Sequence, residues 1–233
     1  MAMIIGGIIK FSLVDYPHGL PCAVIFTAGC NLRCPFCHNA QLIDASSVES
    51  PLDTEEVIAF LKQRQNLLQA VVFSGGEPLL QSDLIDYIRI VKDLGYKVKL
   101  DTNGTMPDKL LSVIDLVDYV AMDIKASPQH YSEACGVNVD LGKIKESVNI
   151  IKTRAKDYEF RTTVFKNFFP TDSDFIEMGK TLLSNGTKRY YLQQPHLEHV
   201  FDRSFPFELY SKEELEHCKT ILEAWVGEVC LRT

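Results

Sequence analysis

The stretch Thr27-Ala28-Gly29-Cys30-Asn31-Leu32-Arg33-Cys34-Pro35-Phe36-Cys37-His38-Asn39 places three cysteines in a C-x3-C-x2-C spacing, directly after an apolar run, 23–26, that is typical of a strand. Three thiolates on one short loop can hold three irons of a cubane iron–sulfur cluster, which normally takes four cysteines. Because no fourth cysteine is nearby, one iron would stay open. An open metal position is a place where a ligand binds and reacts.

The composition is typical of a globular protein of the cytoplasm. Hydrophobic residues make up 46% and charged residues 24% of the 233 residues, and the formal net charge is −7. An acidic chain without a basic run does not favour nucleic acid or an anionic membrane as a partner. We find no signal peptide and no apolar run near the ~18 residues that span a bilayer. The four cysteines outside the loop are scattered and are predicted to be buried or free thiols: Cys22, Cys135, Cys218 and Cys230.

Short apolar strands alternate with amphipathic helices along the chain. The predicted strands that follow a first edge strand are 23–27, 70–73, 97–100, 119–124, 159–165 and 189–193. This alternation predicts an α/β protein with a parallel sheet covered by helices. Six units in this length favour a partial (β/α)6 barrel over a full barrel of eight. We expect one domain over 1–233, with an edge strand and loop at 1–21, the barrel core at 22–195, and a C-terminal helix and strand at 205–233.

Polar motifs follow the predicted strands at the points where they end. They are the cysteine loop, Ser74-Gly75-Gly76-Glu77-Pro78, Asp101-Thr102-Asn103-Gly104, the pair Asp123 and Lys125, and Gln193-Gln194-Pro195-His196. In α/β folds the ligand lies at the carboxyl ends of the strands. We therefore expect these motifs to face one common site.

A structural zinc site with a distant fourth ligand is the alternative interpretation of the three cysteines. Zinc-type cysteines usually come as two C-x2-C pairs, and the sequence has no second pair. With aromatic Phe36 directly before Cys37, the loop resembles the motif of the radical S-adenosylmethionine enzymes. The resemblance implies a [4Fe–4S] cluster on Cys30, Cys34 and Cys37, whose open iron is chelated by the amino and carboxylate groups of S-adenosylmethionine.

The same resemblance assigns cofactor contacts to residues of the other motifs. Phe36 would lie against the adenine. The stretch Gly75-Gly76-Glu77-Pro78 is similar to the family's Gly-Gly-Glu-Pro motif, whose backbone binds the methionine amino group; taken alone, two glycines and a proline indicate only a turn. His38 is a further cofactor-binding candidate, because it follows the last cysteine as in the family's activating enzymes.

Asp123 and Lys125 lie two residues apart on a predicted strand, so both side chains point to the same face. Such a pair could be purely structural. In the glycyl-radical-enzyme activases, which the chain resembles, an Asp-x-Lys pair contacts the ribose and the methionine carboxylate. Asp101 and Thr102 would lie beside that carboxylate, where a monovalent cation is a further expectation. The last cofactor-binding candidates, each as well explained by a solvated loop or strand face, are Arg161 and His196, with His199 as second choice to His196.

The N-terminal segment indicates which group of activases the chain resembles. Phe11-Ser12-Leu13-Val14-Asp15-Tyr16-Pro17 resembles the activases in general. The opening Ile5-Gly6-Gly7-Ile8-Ile9-Lys10-Phe11-Ser12-Leu13, with Asp15-Tyr16-Pro17, looks most similar to the activating protein of anaerobic ribonucleoside-triphosphate reductase, and Tyr191-Leu192-Gln193-Gln194 agrees, although the pattern departs from it after Gln194. The implied activity is reductive cleavage of S-adenosylmethionine to a 5′-deoxyadenosyl radical, which takes a hydrogen from a glycine of that partner. An external one-electron donor, flavodoxin or ferredoxin, is implied as well.

Two other functions remain open from the sequence. One is a radical S-adenosylmethionine enzyme that acts on a small molecule, similar to 7-carboxy-7-deazaguanine synthase. The other is a plain iron–sulfur electron carrier or a zinc module, which would leave the glycine motif and the Asp123/Lys125 pair without a role.

Overall fold

The computed structural model describes residues 3–183 and 186–232. Eight strands form one sheet in the order β1 to β8. They are Ile5–Ser12 (β1), Cys22–Thr27 (β2), Ala70–Gly75 (β3), Lys97–Thr102 (β4), Tyr119–Asp123 (β5), Tyr158–Thr163 (β6), Thr187–Gln193 (β7) and Val226–Arg232 (β8). β1 pairs antiparallel with β2, and every later pair is parallel. The α/β partial barrel predicted from the sequence is thus confirmed, and β8 is the C-terminal strand that was predicted after the six barrel units.

Helices connect the parallel strands. They are Thr54–Gln63 (α1), Leu84–Asp93 (α2), Pro107–Val113 (α3), Tyr131–Cys135 (α4), Leu141–Arg154 (α5), Asp172–Met178 (α6, continued by a π-helical turn, Gly179–Leu183) and Lys212–Leu222 (α7). Side-chain caps fix the starts of two of these helices. Asp53 accepts bonds from the backbone N–H groups of Glu55 and Glu56, and Ser211 and Glu214 form a capping box on α7.

Two details differ from the sequence prediction. β6 ends at Thr163, two residues before its predicted end, because the carbonyl of Phe165 accepts backbone bonds from Phe168 and Phe169 and so begins a turn. The helix α4 was not predicted. It spans five residues and ends at Gly136, whose φ is +64°. A helix this short has too few turns to show an apolar period.

The two faces of the sheet differ in chemistry. The main core is apolar and includes side chains such as Phe73, Leu100 and Phe160, which are fully buried. On the other face a small apolar group from β2, β3 and β5 packs around Tyr16. Charged residues of β4 and β6, among them Asp101 and Arg161, share this inner face, because alternate residues of a strand point to the same side. Within the described ranges, no helix is long and apolar enough to cross a membrane.

Candidate active site

A cavity of about 190 Å³ lies where the parallel strands end. Most of the predicted site residues line it: Cys30, Cys34, Cys37, Phe36, His38, Gly75, Gly76, Asp101, Thr102, Asp123, Lys125 and Arg161. These residues come from the cysteine loop, β3, β4, β5 and β6, so the fold brings them together from segments far apart in the chain. Glu77 and His196 are not among the residues that line the cavity.

Backbone hydrogen bonds fix the cysteine loop on both sides. The N–H of Gly29 donates to the carbonyl of Leu42 at 2.7 Å, and the N–H of Cys30 donates to the carbonyl of Ile43 at 2.9 Å. The N–H of Arg33 donates to the carbonyl of Cys135 at 2.8 Å. The loop is therefore held by the chain that follows it and by the end of α4, which leaves the three thiols at the cavity wall.

The three thiols do not have the same environment. Burial raises the pKa of Cys30 to about 11, although the N–H of Leu32 lies 3.4 Å from its sulfur and opposes this shift. Burial also raises the pKa of Cys37. A hydrogen bond with the thiol of Cys135, in contrast, lowers the pKa of Cys34. Cys34 is thus the thiol of the three whose pKa is lowered rather than raised.

Phe36 is held in place by other aromatic rings. It is 6% exposed. Its ring centroid lies 5.1 Å from that of Phe165 and 5.7 Å from that of Phe168, both in tilted arrangements. Aromatic pairs of this kind add to the stabilisation that burial provides. The ring therefore forms a fixed apolar wall of the cavity.

Gly75 and Gly76 are required by the protein's own packing. Gly75 has φ +112°, and a Cβ there would lie 2.5 Å from the backbone N and O of Thr27. A Cβ on Gly76 would collide with the carbonyl of Gly29. The two glycines let β3 approach the cysteine loop, and the carbonyl of Gly75 accepts a bond from the Asn39 amide at 3.2 Å. The glycine backbone is thereby brought to the cavity next to the thiols.

A charged network forms the opposite wall of the cavity. Lys125 Nζ lies 2.8 Å from Asp123 Oδ2, and Arg161 Nε donates to Asp123 Oδ1. Burial acts to raise the pKa of Asp123, but the charges of Arg161 and Lys125 outweigh it and hold this pKa below its ordinary value. Burial acts to lower the pKa of Lys125, yet Asp123 and Cys34 keep it above its ordinary value. All three side chains are therefore charged at neutral pH.

Asp101 already has protein partners. Lys99 Nζ lies 2.8 Å from Oδ1, Arg161 Nη2 lies 3.4 Å from Oδ2, and the Ser74 hydroxyl donates to Oδ2 at 2.9 Å. Burial opposes ionisation, but Lys99 and Arg161 lower the pKa of Asp101 below its ordinary value. The monovalent cation predicted beside Asp101 would have to compete with these two resident positive charges.

Glu77 lies behind the cavity wall and is fully buried. Its carboxylate accepts bonds from the N–H of Asn103 at 2.7 Å, the hydroxyl of Thr102 at 3.0 Å and the N–H of Leu79 at 3.1 Å. Burial raises the pKa of Glu77 to about 7. The contacts join the loop after β3 to the loop after β4, so Glu77 positions the residues that line the cavity.

His38 lines the cavity, whereas His196 is exposed. Burial, followed by the neighbouring charges of His196 and His199, lowers the pKa of His38. The loop after β7 therefore lies close to the cavity at this point.

Asn103 and Ser74 are among the lining residues that were not predicted as site residues. The amide nitrogen of Asn103 lies 4.0 Å from the sulfur of Cys30 and donates to the side-chain oxygen of Asn31 at 3.0 Å. Ser74 is the strand residue before Gly75 and faces Asp101. The sequence could have indicated Asn103 and Ser74 as site residues, because each belongs to a polar motif at the end of a predicted strand.

A second cavity, of about 700 Å³, continues along the inner face of the sheet; we call it the lumen. Asp101 and Arg161 line both cavities. The lumen is bordered by residues 13–19 and contains four basic and four acidic side chains: Lys99, Arg161, Arg189, Arg232, Asp15, Asp101, Glu159 and Glu228. Arg232 donates two bonds to Glu159, at 3.0 and 2.9 Å.

The chemistry of this donor set fits an iron–sulfur cluster. Three thiols of one loop face one cavity, next to a fixed aromatic ring and a charged network. In the described part of the chain, no three His, Cys, Asp or Glu side chains are grouped to hold a single metal ion.

Comparisons with known proteins agree with this class of site. The sequence model of the Radical SAM superfamily matches residues 24–182. A Methanocaldococcus jannaschii protein, provisionally named as a glycyl-radical enzyme activating enzyme, is 33% identical over 100% of this chain and 97% of its own length. The 7-carboxy-7-deazaguanine synthase of Thermococcus kodakarensis is 33% identical, but over 42% of this chain and 46% of its own.

A solved structure shows the same fold. Streptococcus suis SuiB bound to the precursor peptide SuiA superposes with a TM-score of 0.70 at 15% identity, over 90% of this chain and 48% of that one. The fold and the site define a partial-barrel protein with a three-cysteine loop at its cavity. This chain belongs to the Radical SAM superfamily, a family that implies a [4Fe–4S] cluster and S-adenosylmethionine.

Proposed function

We propose that this protein activates a glycyl radical enzyme by removing a hydrogen atom from the Cα of one glycine in that partner. The observation that carries the proposal is the similarity, over essentially the full length of both chains, to the relative provisionally named as such an activating enzyme. The matched part includes the cysteine loop, the charged network and the residues around the lumen.

Cys30, Cys34 and Cys37 would hold the cluster, and the cavity beside them would hold S-adenosylmethionine. When bound, the two cofactors supply a one-electron reduction and the 5′-deoxyadenosyl radical. The Lys125 ammonium would bind the methionine carboxylate, and Asp123 would accept from the ribose hydroxyls. The backbone at Gly75 and Gly76 would bind the methionine amino group.

The protein's residues orient the cofactor and exclude water from it. Asp123 is fixed by Lys125 and Arg161, so its carboxylate is oriented before a ligand arrives. A preoriented charge costs little reorganisation when the reaction takes place. Phe36 is packed on two phenylalanine rings and closes the apolar side of the cavity. A dry cavity protects reactive species from side reactions.

The lumen would admit the glycine-bearing segment of the partner. It joins the cofactor cavity at Asp101 and Arg161, and its mouth is formed by residues 13–19. Val14 at this mouth is 89% exposed and Leu13 is 50% exposed. An extended peptide presents backbone N–H and C=O groups, which mixed acidic and basic side chains can satisfy. The volume and the polarity of the lumen therefore suit a polypeptide loop.

We further propose that the partner is anaerobic ribonucleoside-triphosphate reductase and that flavodoxin or ferredoxin supplies the electron. The support for this partner is the resemblance of the opening segment, residues 5–13 with Asp15-Tyr16-Pro17, part of which borders the lumen.

The test is an anaerobic mixture of the cluster-loaded protein, a reductant, S-adenosylmethionine and that reductase. We expect a glycyl radical in the electron paramagnetic resonance spectrum, and none when the reductase glycine is replaced by alanine. If the cofactor is cleaved and the wild-type reductase shows no radical, the partner is wrong. A second glycyl radical enzyme, tested in parallel, separates a wrong partner from a wrong class of reaction.

A radical enzyme that acts on a small molecule is the second candidate. It is favoured by the similarity to 7-carboxy-7-deazaguanine synthase, which covers less than half of either chain. It predicts that a pterin substrate stimulates cofactor cleavage without a protein partner. Stimulation by the glycyl radical enzyme alone would exclude it.

A further inference from the structure

The segment between β7 and α7, residues 194–211, contains no helix or strand. A stretch of this length without regular structure is uncommon inside a compact domain and is usually functional or disordered. Here it is held by two other loops. The N–H of Asp202 donates to the carbonyl of Pro35 in the cysteine loop at 2.9 Å, and the N–H of Lys166 donates to the carbonyl of Glu208 at 2.9 Å. The segment, which we call the strap, thus joins the cysteine loop to the turn after β6.

An asparagine of the turn after β6 fastens the strap on both sides of Phe207. The N–H of Glu208 donates to the side-chain oxygen of Asn167 at 2.8 Å. The amide nitrogen of Asn167 donates to the carbonyl of Pro206 at 3.1 Å. The backbone on either side of Phe207 is therefore fixed, and the direction in which its ring leaves the strap is fixed with it.

Five phenylalanine rings connect the strap to the cavity beside the three cysteines; we call them the ring block. The ring centroid of Phe207 lies 5.0 Å from that of Phe165, and the two strap rings, Phe205 and Phe207, lie 4.8 Å apart. The centroid of Phe205 lies 5.7 Å from that of Phe168. Phe165 and Phe168 are fully buried, and both contact Phe36, which lines the cavity. The strap rings are thus the outer layer of a block whose inner ring faces the cavity.

We propose that Phe205 and Phe207 are positioning residues that hold Phe36 where it contacts the adenine of S-adenosylmethionine. They act through the two buried rings that lie between the strap and Phe36. Aromatic pairs prefer tilted and offset arrangements, so each ring of the block restricts the next one. A binding surface that is ordered before its ligand arrives has less freedom to lose on binding. The inference rests on the proposed cofactor site and does not depend on the proposed partner.

The test compares the binding of S-adenosylmethionine with that of methionine, which has no adenine, by equilibrium dialysis on cluster-loaded proteins of equal iron content. Phe205→Leu and Phe207→Leu should each lower the affinity for S-adenosylmethionine by roughly 2- to 10-fold, the range that one aromatic pair contributes, and leave the affinity for methionine unchanged. Phe207→Tyr, which keeps the ring, should bind both ligands as wild type does. Phe201→Leu is the matched control, since Phe201 is a strap residue outside the ring block and is 47% exposed. We expect it to change neither affinity.

A double-mutant cycle shows whether the strap acts through Phe36. We expect Phe207→Leu to add little to the loss that Phe36→Leu causes by itself, because both changes affect the same wall of the cavity. Should Phe207→Leu fail to fold, Phe205→Leu replaces it in the cycle.

The proposal is overturned if the strap variants bind S-adenosylmethionine as wild type does, if they lose both ligands equally, or if their losses add to that of Phe36→Leu. If wild type itself does not bind S-adenosylmethionine, the proposed cofactor site is wrong and the role of the strap is wrong with it. If wild type binds it, an unchanged affinity in the variants contradicts the role of the strap alone.

Discussion

The two cavities of the barrel share Asp101 and Arg161 and otherwise differ in chemistry. The cavity beside the three cysteines, which we propose as the cofactor cavity, combines three thiols, two glycines and a phenylalanine ring with one charged wall. The lumen is larger and is lined by four acidic and four basic side chains, which largely pair with one another. The first suits a cofactor that must be kept dry, and the second suits a polar chain that has to enter and leave. Substitutions in the two cavities should therefore separate cofactor cleavage from partner activation.

The largest effect is expected for Cys34→Ala in the cofactor cavity. Loss of one of three thiolate ligands should abolish the intact cluster and all cleavage of S-adenosylmethionine. Iron content and 5′-deoxyadenosine formation measure the two losses. Cys218→Ala should retain both, because its thiol lies on α7, away from the cavity. Normal iron content in Cys34→Ala would contradict the assignment of the cluster ligands.

Lys125→Ala should leave the cluster in place and weaken the binding of S-adenosylmethionine. A hydrogen bond to a charged group contributes about 1.5–3 kcal/mol, which corresponds to a roughly 10- to 150-fold loss of affinity. Equilibrium dialysis on the cluster-loaded protein measures it. Lys156→Ala is the control, since this lysine pairs with Asp118 and does not line the cavity. Unchanged binding in Lys125→Ala would show that the carboxylate is bound elsewhere.

Val14→Arg should affect the lumen and spare the cofactor cavity. A bulky charge at the mouth should reduce activation of the partner by about 10-fold, the effect of about 1.4 kcal/mol, and leave cofactor binding as it is. The rate of glycyl radical formation and the affinity for S-adenosylmethionine are the two readouts. Leu111→Arg, at an apolar residue of α3 that is 45% exposed, should change neither. If Val14→Arg lowered the rate of radical formation and the affinity for S-adenosylmethionine equally, the two cavities would not have separate roles.

Glu77→Gln should have the smallest effect on both cavities, because Glu77 lines neither of them. The pKa of Glu77 is raised from 4.5 to about 7 in the folded protein. The folded state then binds more protons than the unfolded state between these values, so this carboxyl stabilises the fold fully below about pH 4.5 and loses that contribution as pH rises through 7. The slope is at most about 1.4 kcal/mol per pH unit.

Urea unfolding of the cluster-free protein at pH 5 and pH 7 measures this contribution. The midpoint of wild type should fall more between the two values than that of Glu77→Gln, which cannot ionise. The carboxyl groups of Asp101 and Asp123, whose pKa values are lowered, titrate below this window. An identical change in the two proteins would mean that Glu77 is ionised throughout the range.

The sequence was sufficient for the sheet and most of the cofactor cavity. Strands such as 70–73 are short apolar runs directly before polar motifs, and the rule that parallel strands share one carboxyl edge brought those motifs together. Glu77 was predicted at the cofactor because it belongs to the Gly-Gly-Glu-Pro motif. A motif does not show that its third residue turns inward, and the structure gives that carboxylate three protein donors.

The parts that sequence analysis missed depend on long-range packing. In the sequence, Cys135 is one of four scattered cysteines. It lies beside Cys34 only because α4 packs against the loop at Arg33. The lumen was not predicted either. Two of its charged residues come from each of β4, β6 and β8, one comes from β7 and one, Asp15, from the loop before β2. In the sequence, each of those on a strand resembles a solvent-exposed strand position.

The central claim is that the cavity and the lumen together bring a cofactor-derived radical to a glycine of another protein. The most direct measurement uses a partner enzyme deuterated at its glycine Cα, mixed anaerobically with the cluster-loaded protein, reductant and unlabelled S-adenosylmethionine. We predict that deuterium appears in 5′-deoxyadenosine in proportion to the glycyl radical formed. Unlabelled 5′-deoxyadenosine, formed at the same rate with and without the partner, would contradict the claim.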